Sequence, residues 1–271
     1  MFSINGKPNK YLIIGSAMTG IVLILAFLSI FWTPYSPTQM SAALRFKPPS
    51  FAHIFGTDNF GRDIFSRVMK AIGTSFTISV LVIAISGAAG VLIGAVTGYF
   101  GGIIDTVVMR IVDAINGFPS ILLALVMISL LGKGRGNIII ALGIAFTPSF
   151  VRIVRGEFIR LRDADYIVRA RLMGASNTRI LFLHILPNVF SVFWVSVMIG
   201  FNNAILAESG LSYLGIGVQA PDATLGSMLS DAQGYLGTAP WYALAPGLTI
   251  VWMVLGAALM SEGISRRNAV R

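Results

Sequence analysis

The chain has 271 residues, of which 55% are hydrophobic and 11% are charged, and its formal net charge is +9. Soluble domains carry about 25% charged residues, so this composition excludes a water-soluble core and shell. With no Cys and two His, the chain has no thiolate metal site, disulfide framework or cysteine nucleophile, and it shows no metal-ligand spacing. The class that remains is a polytopic membrane protein.

Six apolar stretches are close to or longer than the roughly 20 residues that a helix needs to cross a bilayer. They lie at about 11–32, 77–99, 105–132, 136–151, 185–207 and 240–261. The first is too long for a signal peptide and no small-residue cleavage site follows it, so we expect a retained helix. Pro119 and Pro148 predict kinks in the third and fourth spans.

The second span carries Ser86, Gly90, Gly94 and Gly98 at every fourth position. Small residues at this spacing let helix backbones approach closely. We expect close packing against a neighbouring helix; a hinge or a pore lining is the alternative.

The distribution of Lys and Arg gives the orientation. Thirteen of the 20 lie in the segments on the N-terminal side of the membrane, including seven Arg between Arg152 and Arg179. By the positive-inside rule both termini are cytoplasmic. Because the basic residues lie beside spans, the positive charge reflects topology and not a nucleic-acid surface.

Few polar residues lie at membrane depth. Asn202, Asn203 and Glu208 fall near the outer end of the fifth span. An acid at this depth suggests a functional site, here a translocation path, and helix packing is the alternative. There is no P-loop, no H-E-x-x-H and no G-x-S-x-G, so the sequence indicates a protein that is not an enzyme.

The longest cytoplasmic loop has a defined pattern. Residues 163–173 favour a helix with Tyr166, Ala170 and Met173 on one face, and Gly174 is suited to end it. Ser176 is a suitable N-cap for a second short helix to Ile185, after which Leu186 and Pro187 are expected to turn the chain. Such a projecting element suits docking to a cytoplasmic partner; an amphipathic helix held by anionic lipid is the alternative.

This loop resembles the EAA motif of membrane subunits of ABC importers: E-A-A, three residues, G, a spacer, then I and L-P. The chain shows Val168, Arg169 and Ala170, then Gly174, and ends at 185–187 in the form of the peptide and nickel permease family. Val168 and Arg169 replace the motif's Glu and first Ala, while the helix–Gly–helix pattern is retained.

Two further stretches carry the same resemblance. Residues 55–67 are similar to the family's G-T-D-x-x-G-R-D-x-x-S-R segment after the first span, and residues 208–217 are similar to its outer loop. The charged residues of the first stretch are expected to pair locally, with contacts to a partner permease or to a binding protein as alternatives. The eight motif positions are Gly56, Thr57, Asp58, Gly61, Arg62, Asp63, Ser66 and Arg67.

The resemblance implies an all-α fold of the type I ABC importer permease, with six transmembrane helices and a cytoplasmic coupling helix in the inner membrane. It also implies a second permease, two ATPase subunits that bind the ATP and Mg, and an extracytoplasmic solute-binding protein; this chain needs no cofactor. The coupling residues it implies are Tyr166, Arg169, Ala170, Gly174, Ala175, Ser176, Ile185, Leu186 and Pro187.

We expect two units: residues 1–76, a transmembrane helix with an extracytoplasmic segment, and residues 77–271, a five-helix permease core with the coupling loop at about 162–187. The resemblance implies import of short peptides, and nickel or a metal chelate is the alternative. A stand-alone secondary transporter is a further alternative, although no broken-helix pair or set of intramembrane acids indicates one. An intramembrane enzyme would need a catalytic set inside the spans.

Overall fold

The computed structural model describes residues 3–4 and 7–269, with side-chain surroundings for residues 9–266. Most of it is helical. The elements in chain order are β1 (Ser3–Ile4), β2 (Lys7–Pro8), α1 (Lys10–Phe31), a 3-10 turn (Ala42–Leu44), α2 (Ile64–Phe100), α3 (Gly102–Asn116), α4 (Ser120–Leu131), α5 (Arg135–Arg162), α6 (Asp165–Leu172), α7 (Asn177–Arg179), a π-helical segment (Ile180–Ile185), α8 (Leu186–Tyr213), α9 (Leu225–Ala232), a second 3-10 turn (Gln233–Tyr235) and α10 (Pro240–Ala269).

Within the described residues, five helical stretches are long and apolar enough to cross a membrane, and a sixth exists if α3 and α4 are one broken span. We call the end of the bundle that bears residues 163–185 the loop end. The opposite end, with residues 33–63 and 214–239, is the cap end. The short strands β1 and β2 pair antiparallel before α1.

The predicted close packing of the second span is confirmed. Gly94 and Gly98 lie against α5, where an added Cβ would fall 2.8 Å from the Val151 carbonyl oxygen and 2.6 Å from the Phe158 Cβ. Gly90 meets Phe150 in the same way. The stripe of small residues therefore lets α2 and α5 approach backbone to backbone, and this pair forms the centre of the bundle.

Four predicted spans have the wrong bounds; the sixth begins at Pro240 as predicted but continues to Ala269, not 261. The second helix begins at Ile64, not near 77, so the expected division at 76/77 falls inside α2. The fourth runs to Arg162, not 151. The fifth belongs to a continuous helical stretch from Asn177 to Tyr213 and not only 185–207. In α2 and α5 the apolar run stops at charged residues, but the helix continues because those charges have partners or reach the interface.

The third span is not one kinked helix. The chain breaks between α3 and α4, which are bent by 86°. Pro119 is the N-cap of α4 with extended backbone, ψ 127°. Because proline removes a backbone donor and disfavours helical geometry in the preceding residue, the break falls at Gly117–Phe118.

Candidate functional site

The loop at residues 163–187 is a helix, a glycine turn and a second helix, as predicted. Gly174 has φ +84°, and the Ala175 N–H donates to the Ala170 carbonyl across the turn, at 3.1 Å. This is the bond pattern of a glycine-terminated helix. Apart from its chain neighbours, no heavy atom of the described residues lies within 4 Å of a Cβ placed at Gly174, so its positive φ, and not a lack of space, is what calls for glycine there.

The second helix of the loop begins at the predicted cap. The Ser176 hydroxyl accepts from the Arg179 N–H at 3.3 Å. The predicted turn at Leu186 and Pro187 is wrong, because the chain passes through the π-helical segment directly into α8. The Leu186 N–H donates to the Leu181 carbonyl, five residues back, and Pro187 lies in the first turn of α8, where its missing N–H is tolerated.

The three residues predicted to share one face of the loop's first helix are not equally buried. Ile167 and Ala170 are buried, whereas Tyr166 is 42% exposed and Met173 is 82% exposed. Ile167 packs with residues of α5 and of the π-helical segment in one apolar cluster. The predicted face is therefore divided: Ala170 is buried against the bundle, whereas Tyr166 and Met173 are exposed.

An unpartnered apolar surface remains at the loop end. Its members are large side chains that project away from the bundle, and Arg169 and Arg171 lie exposed beside them. The surface consists of Leu172, Met173, Phe182 and Leu183, each more than 60% exposed. Apolar side chains at a membrane–water boundary with neighbouring cations suit either a protein groove or a lipid surface.

The loop is tied to the bundle by a polar contact as well. The Tyr99 hydroxyl at the end of α2 donates to the Asn177 side-chain oxygen at 2.7 Å. Ile180 and Ile185 of the π-helical segment are buried against the same part of α2 and α5. The loop is therefore packed against α2 and α5, and its chain continues directly into α8.

At the cap end, Asp58 is the centre of a buried polar network. Its Oδ1 accepts from the N–H groups of Phe60 and Arg62 at 2.8 and 2.9 Å, and its Oδ2 accepts from the Arg62 Nε at 2.6 Å. The Arg67 Nε lies 3.6 Å from the same carboxylate, and Asp231 of α9 lies 3.9 Å from Arg67. Asp58 has no exposed surface.

The other motif residues at the cap end complete a tight turn into α2. Asp63 caps α2 through the Ser66 N–H at 2.8 Å and contacts His53 Nδ1 at 2.9 Å. The Thr57 hydroxyl binds the Leu44 carbonyl and accepts from the Lys47 N–H. Gly56 and Gly61 both have φ above +70°. Within the described residues, the charged residues of this segment pair with one another, with His53 and with Asp231 of α9.

Asn202, Asn203 and Glu208 are not brought to one surface. Asn203 is exposed, Asn202 is half-buried, and Glu208 has no exposed surface. The Ser212 hydroxyl donates to Glu208 Oε1 at 2.7 Å, and Oε2 has no hydrogen-bond partner among the described residues. In this conformation Glu208 does not line an open path.

The surroundings of Glu208 hold α9 on the bundle. The Leu225 N–H at the start of α9 donates to the Ser75 hydroxyl of α2 at 3.4 Å. Gly226 lies on α8, where an added Cβ would fall 2.7 Å from the Ser209 Cα. A capping box between Thr224 and Ser227 fixes the start of α9.

Sequence reasoning missed the ion pairs that hold α3. Asp105 receives two hydrogen bonds from Arg155 of α5, both 2.6 Å, and Asp113 receives one from Arg152 at 2.7 Å. The acids and arginines lie about 40 to 50 residues apart, so local spacing gave no signal. The sequence indicates only that acids and arginines of opposite charge lie at the same side of the membrane.

The chain is thus a polytopic helical membrane protein with the fold of an ABC importer permease. The likeness in fold is to a chain of the inward-facing MetNI methionine ABC transporter, with a TM-score of 0.58 and 21% identity, over 76% of this chain and 96% of that one. It confirms the expected fold class.

The family is shown by sequence. Residues 90–270 match the family of binding-protein-dependent transport system inner membrane components, and the chain belongs to that family. It is 38% identical to the dipeptide transport system permease protein DppC of Alkalihalophilus pseudofirmus, over 95% of this chain and 85% of that protein. It is 33% identical to the DppC of Haemophilus influenzae, over 95% and 90%.

Proposed function

We propose that this chain is the permease subunit of an ATP-driven importer and that its cargo is short peptides. Membership of the binding-protein-dependent family supports the first part, and relatives named as dipeptide permeases support the second. A second permease would complete the passage, two ATPase subunits would bind ATP and Mg, and a solute-binding protein would deliver the peptide. This chain itself would carry no catalytic residue and no cofactor.

The single observation that carries the mechanism is the loop from α6 to the π-helical segment. Its apolar surface at Leu172, Met173, Phe182 and Leu183 has no partner within the described chain. We infer that the surface seats in a cleft of an ATPase subunit. Since Gly174 sets the angle between the two helices, its turn determines which side chains face that cleft.

The proposed orientation places the loop end and both termini in the cytoplasm. Seven of the chain's arginines lie between Arg152 and Arg179, at or near the loop end, which is the bias that cytoplasmic segments show. The cap end would then receive peptide from the binding protein. The natural chain has no Cys, so single cysteines can report the orientation directly.

The function is tested by ATP hydrolysis of the complex purified with its co-expressed neighbours and reconstituted in lipid. We expect stimulation by the binding protein loaded with a dipeptide mixture and none with a nickel chelate. Stimulation by the nickel chelate and not by the dipeptides would show that the cargo is nickel and not short peptides. No complex and no stimulation by either load would contradict the importer function.

The coupling role is tested by Gly174→Val, with Gly156→Val as the matched control. Both positions have open space around an added Cβ, but only Gly174 has a positive φ. The strain at Gly174 is about 1–2 kcal/mol or more for a β-branched residue. We expect loss of stimulated hydrolysis in Gly174→Val alone, at equal expression; equal activity of both variants would refute the role.

A further inference from the structure

A cleft at the cap end runs between α1 and α2. It has a volume of about 520 Å³ and its walls include Phe27, Ser29, Lys70, Thr74 and Arg135. Below it, a second cavity of about 780 Å³ continues between α1, α2, α8 and α10. The two share Leu23 and Phe76, so together they form one groove along the bundle.

Two cationic side chains, Lys70 and Arg135, lie at the cap end of this groove. Neither Lys70 nor Arg135 has an ion pair or a side-chain hydrogen bond within the described part of the chain. The nearby hydroxyls of Ser29 and Thr74 already donate to carbonyls of their own helices. A cation at the membrane boundary is stabilised by an anion or by water. Lys70 lies more than one turn inside α2, so its charge is in this position.

The rest of the groove offers almost nothing polar. Its lower part is lined chiefly by aliphatic and aromatic side chains, with Thr19 as the one polar residue among those that form the wall. Val80, Leu92 and Trp194 are 41%, 69% and 54% exposed, so the groove is open along its side. From Lys70 to Leu92 it follows α2 for about 33 Å, at 1.5 Å per residue.

This combination selects among occupants. A peptide in the groove would leave its backbone N–H and C=O groups unpaired, which costs several kcal/mol per group away from water. An acyl chain has no such groups, and a phosphate complements two cations. We propose that the groove binds one anionic diacyl phospholipid from the leaflet at the cap end, with the phosphate at Lys70 and Arg135 and an acyl chain against α2 and α8.

The proposal is tested by native mass spectrometry of the purified complex titrated with phosphatidylglycerol or phosphatidylcholine. We expect one retained phosphatidylglycerol, and an affinity that falls about 10- to 30-fold in the Lys70→Gln, Arg135→Gln double variant, at about 1 kcal/mol per cation. The control is Lys47→Gln, Arg110→Gln, which removes two exposed cations elsewhere and leaves the affinity unchanged. Equal affinity for both lipids, or equal loss in both double variants, would overturn the proposal.

A second measurement identifies the occupant directly. Ala88 lines the lower groove, and a photoreactive benzoylphenylalanine placed there can be crosslinked within the intact complex in membranes. A lipid adduct with the mass of an anionic phospholipid is the expected product. A crosslink to the second permease would show that a partner helix fills the groove, and a crosslink to peptide cargo would make it part of the path; either result overturns the lipid site.

Discussion

Asp58→Asn is the sharpest test of what organises the cap end. The amide oxygen can keep the two bonds from the Phe60 and Arg62 N–H groups, because both use Oδ1. The amide nitrogen, however, would face the Arg62 Nε donor that Oδ2 now accepts at 2.6 Å. Arg67, which is only 5% exposed, would lose its nearer anion and keep Asp231 at 3.9 Å.

The magnitude follows from burial. Removing one member of a buried ion pair costs about 3–5 kcal/mol, because the remaining charge is left uncompensated. Asp231 still faces Arg67, and Arg62 can turn toward solvent, so we expect the lower end, about 3 kcal/mol. For a chain of this size that corresponds to a fall in Tm of about 6–12 °C.

The assay is thermal unfolding of the purified complex, with Asp163→Asn as the control. Asp163 is 73% exposed and lies 3.3 Å from the Arg162 Nε, so its loss is expected to change stability by less than about 0.5 kcal/mol. The double variant Asp58→Asn, Arg67→Gln should recover part of the loss, since it removes the uncompensated charge. If Asp58→Asn has the same Tm as Asp163→Asn, the buried network does not stabilise the cap end and the argument fails.

The remaining predictions concern packing, α9 and orientation. Gly94→Leu should destabilise the chain by at least about 1–3 kcal/mol in thermal unfolding because α5 has no room for it, whereas Gly20→Leu, which meets no atom within 4 Å, should not; equal melting would refute the packing. Glu208→Gln keeps the acceptor for Ser212 and should preserve protection of α9 in hydrogen exchange, while Glu208→Ala leaves a cavity and should lower it; a matching loss in both would contradict this. In inverted and right-side-out vesicles, Asp163→Cys, which lies at the loop end outside the proposed ATPase contact, should be labelled from the cytoplasmic face only and Gly237→Cys from the opposite face only, and the reverse pattern would invert the proposed orientation.

The parts of the fold that depend on local chemistry could be predicted from the sequence. The first span, the start of α10, the small-residue face of α2 and the turn at Gly174 each follow from hydropathy or from a residue suited to its backbone geometry. In each case the signal lies within a few residues of the feature it determines. Tertiary contacts reinforce these signals and do not alter them.

The predicted helix bounds and turns are wrong where the local structure depends on contacts with residues distant in the sequence or on an unexpected hydrogen-bond pattern. Hydropathy places the start of the second span near 77, but α2 begins at Ile64, and Arg67 in its first turn is paired with Asp58 and Asp231. The Pro187 turn is absent because a π-helical segment supplies the alternative hydrogen bond at Leu186. The fourth span is predicted to end at 151, but α5 continues to Arg162, and its last turns pack against Ile167 of α6.

The continuity of two helices indicates how the ends communicate. α2 runs unbroken for 37 residues, about 55 Å, from its cap at Asp63 to the Tyr99 contact with the coupling loop. The stretch from Asn177 to Tyr213 is also continuous and ends beside Glu208 and α9. Under the function proposed above, a displacement of the loop would reach the cap end as rigid tilting of both helices, because neither helical stretch is interrupted within the described residues. The change in angle would then be absorbed where the chain is not helical, at Met173–Ser176 and in residues 214–224.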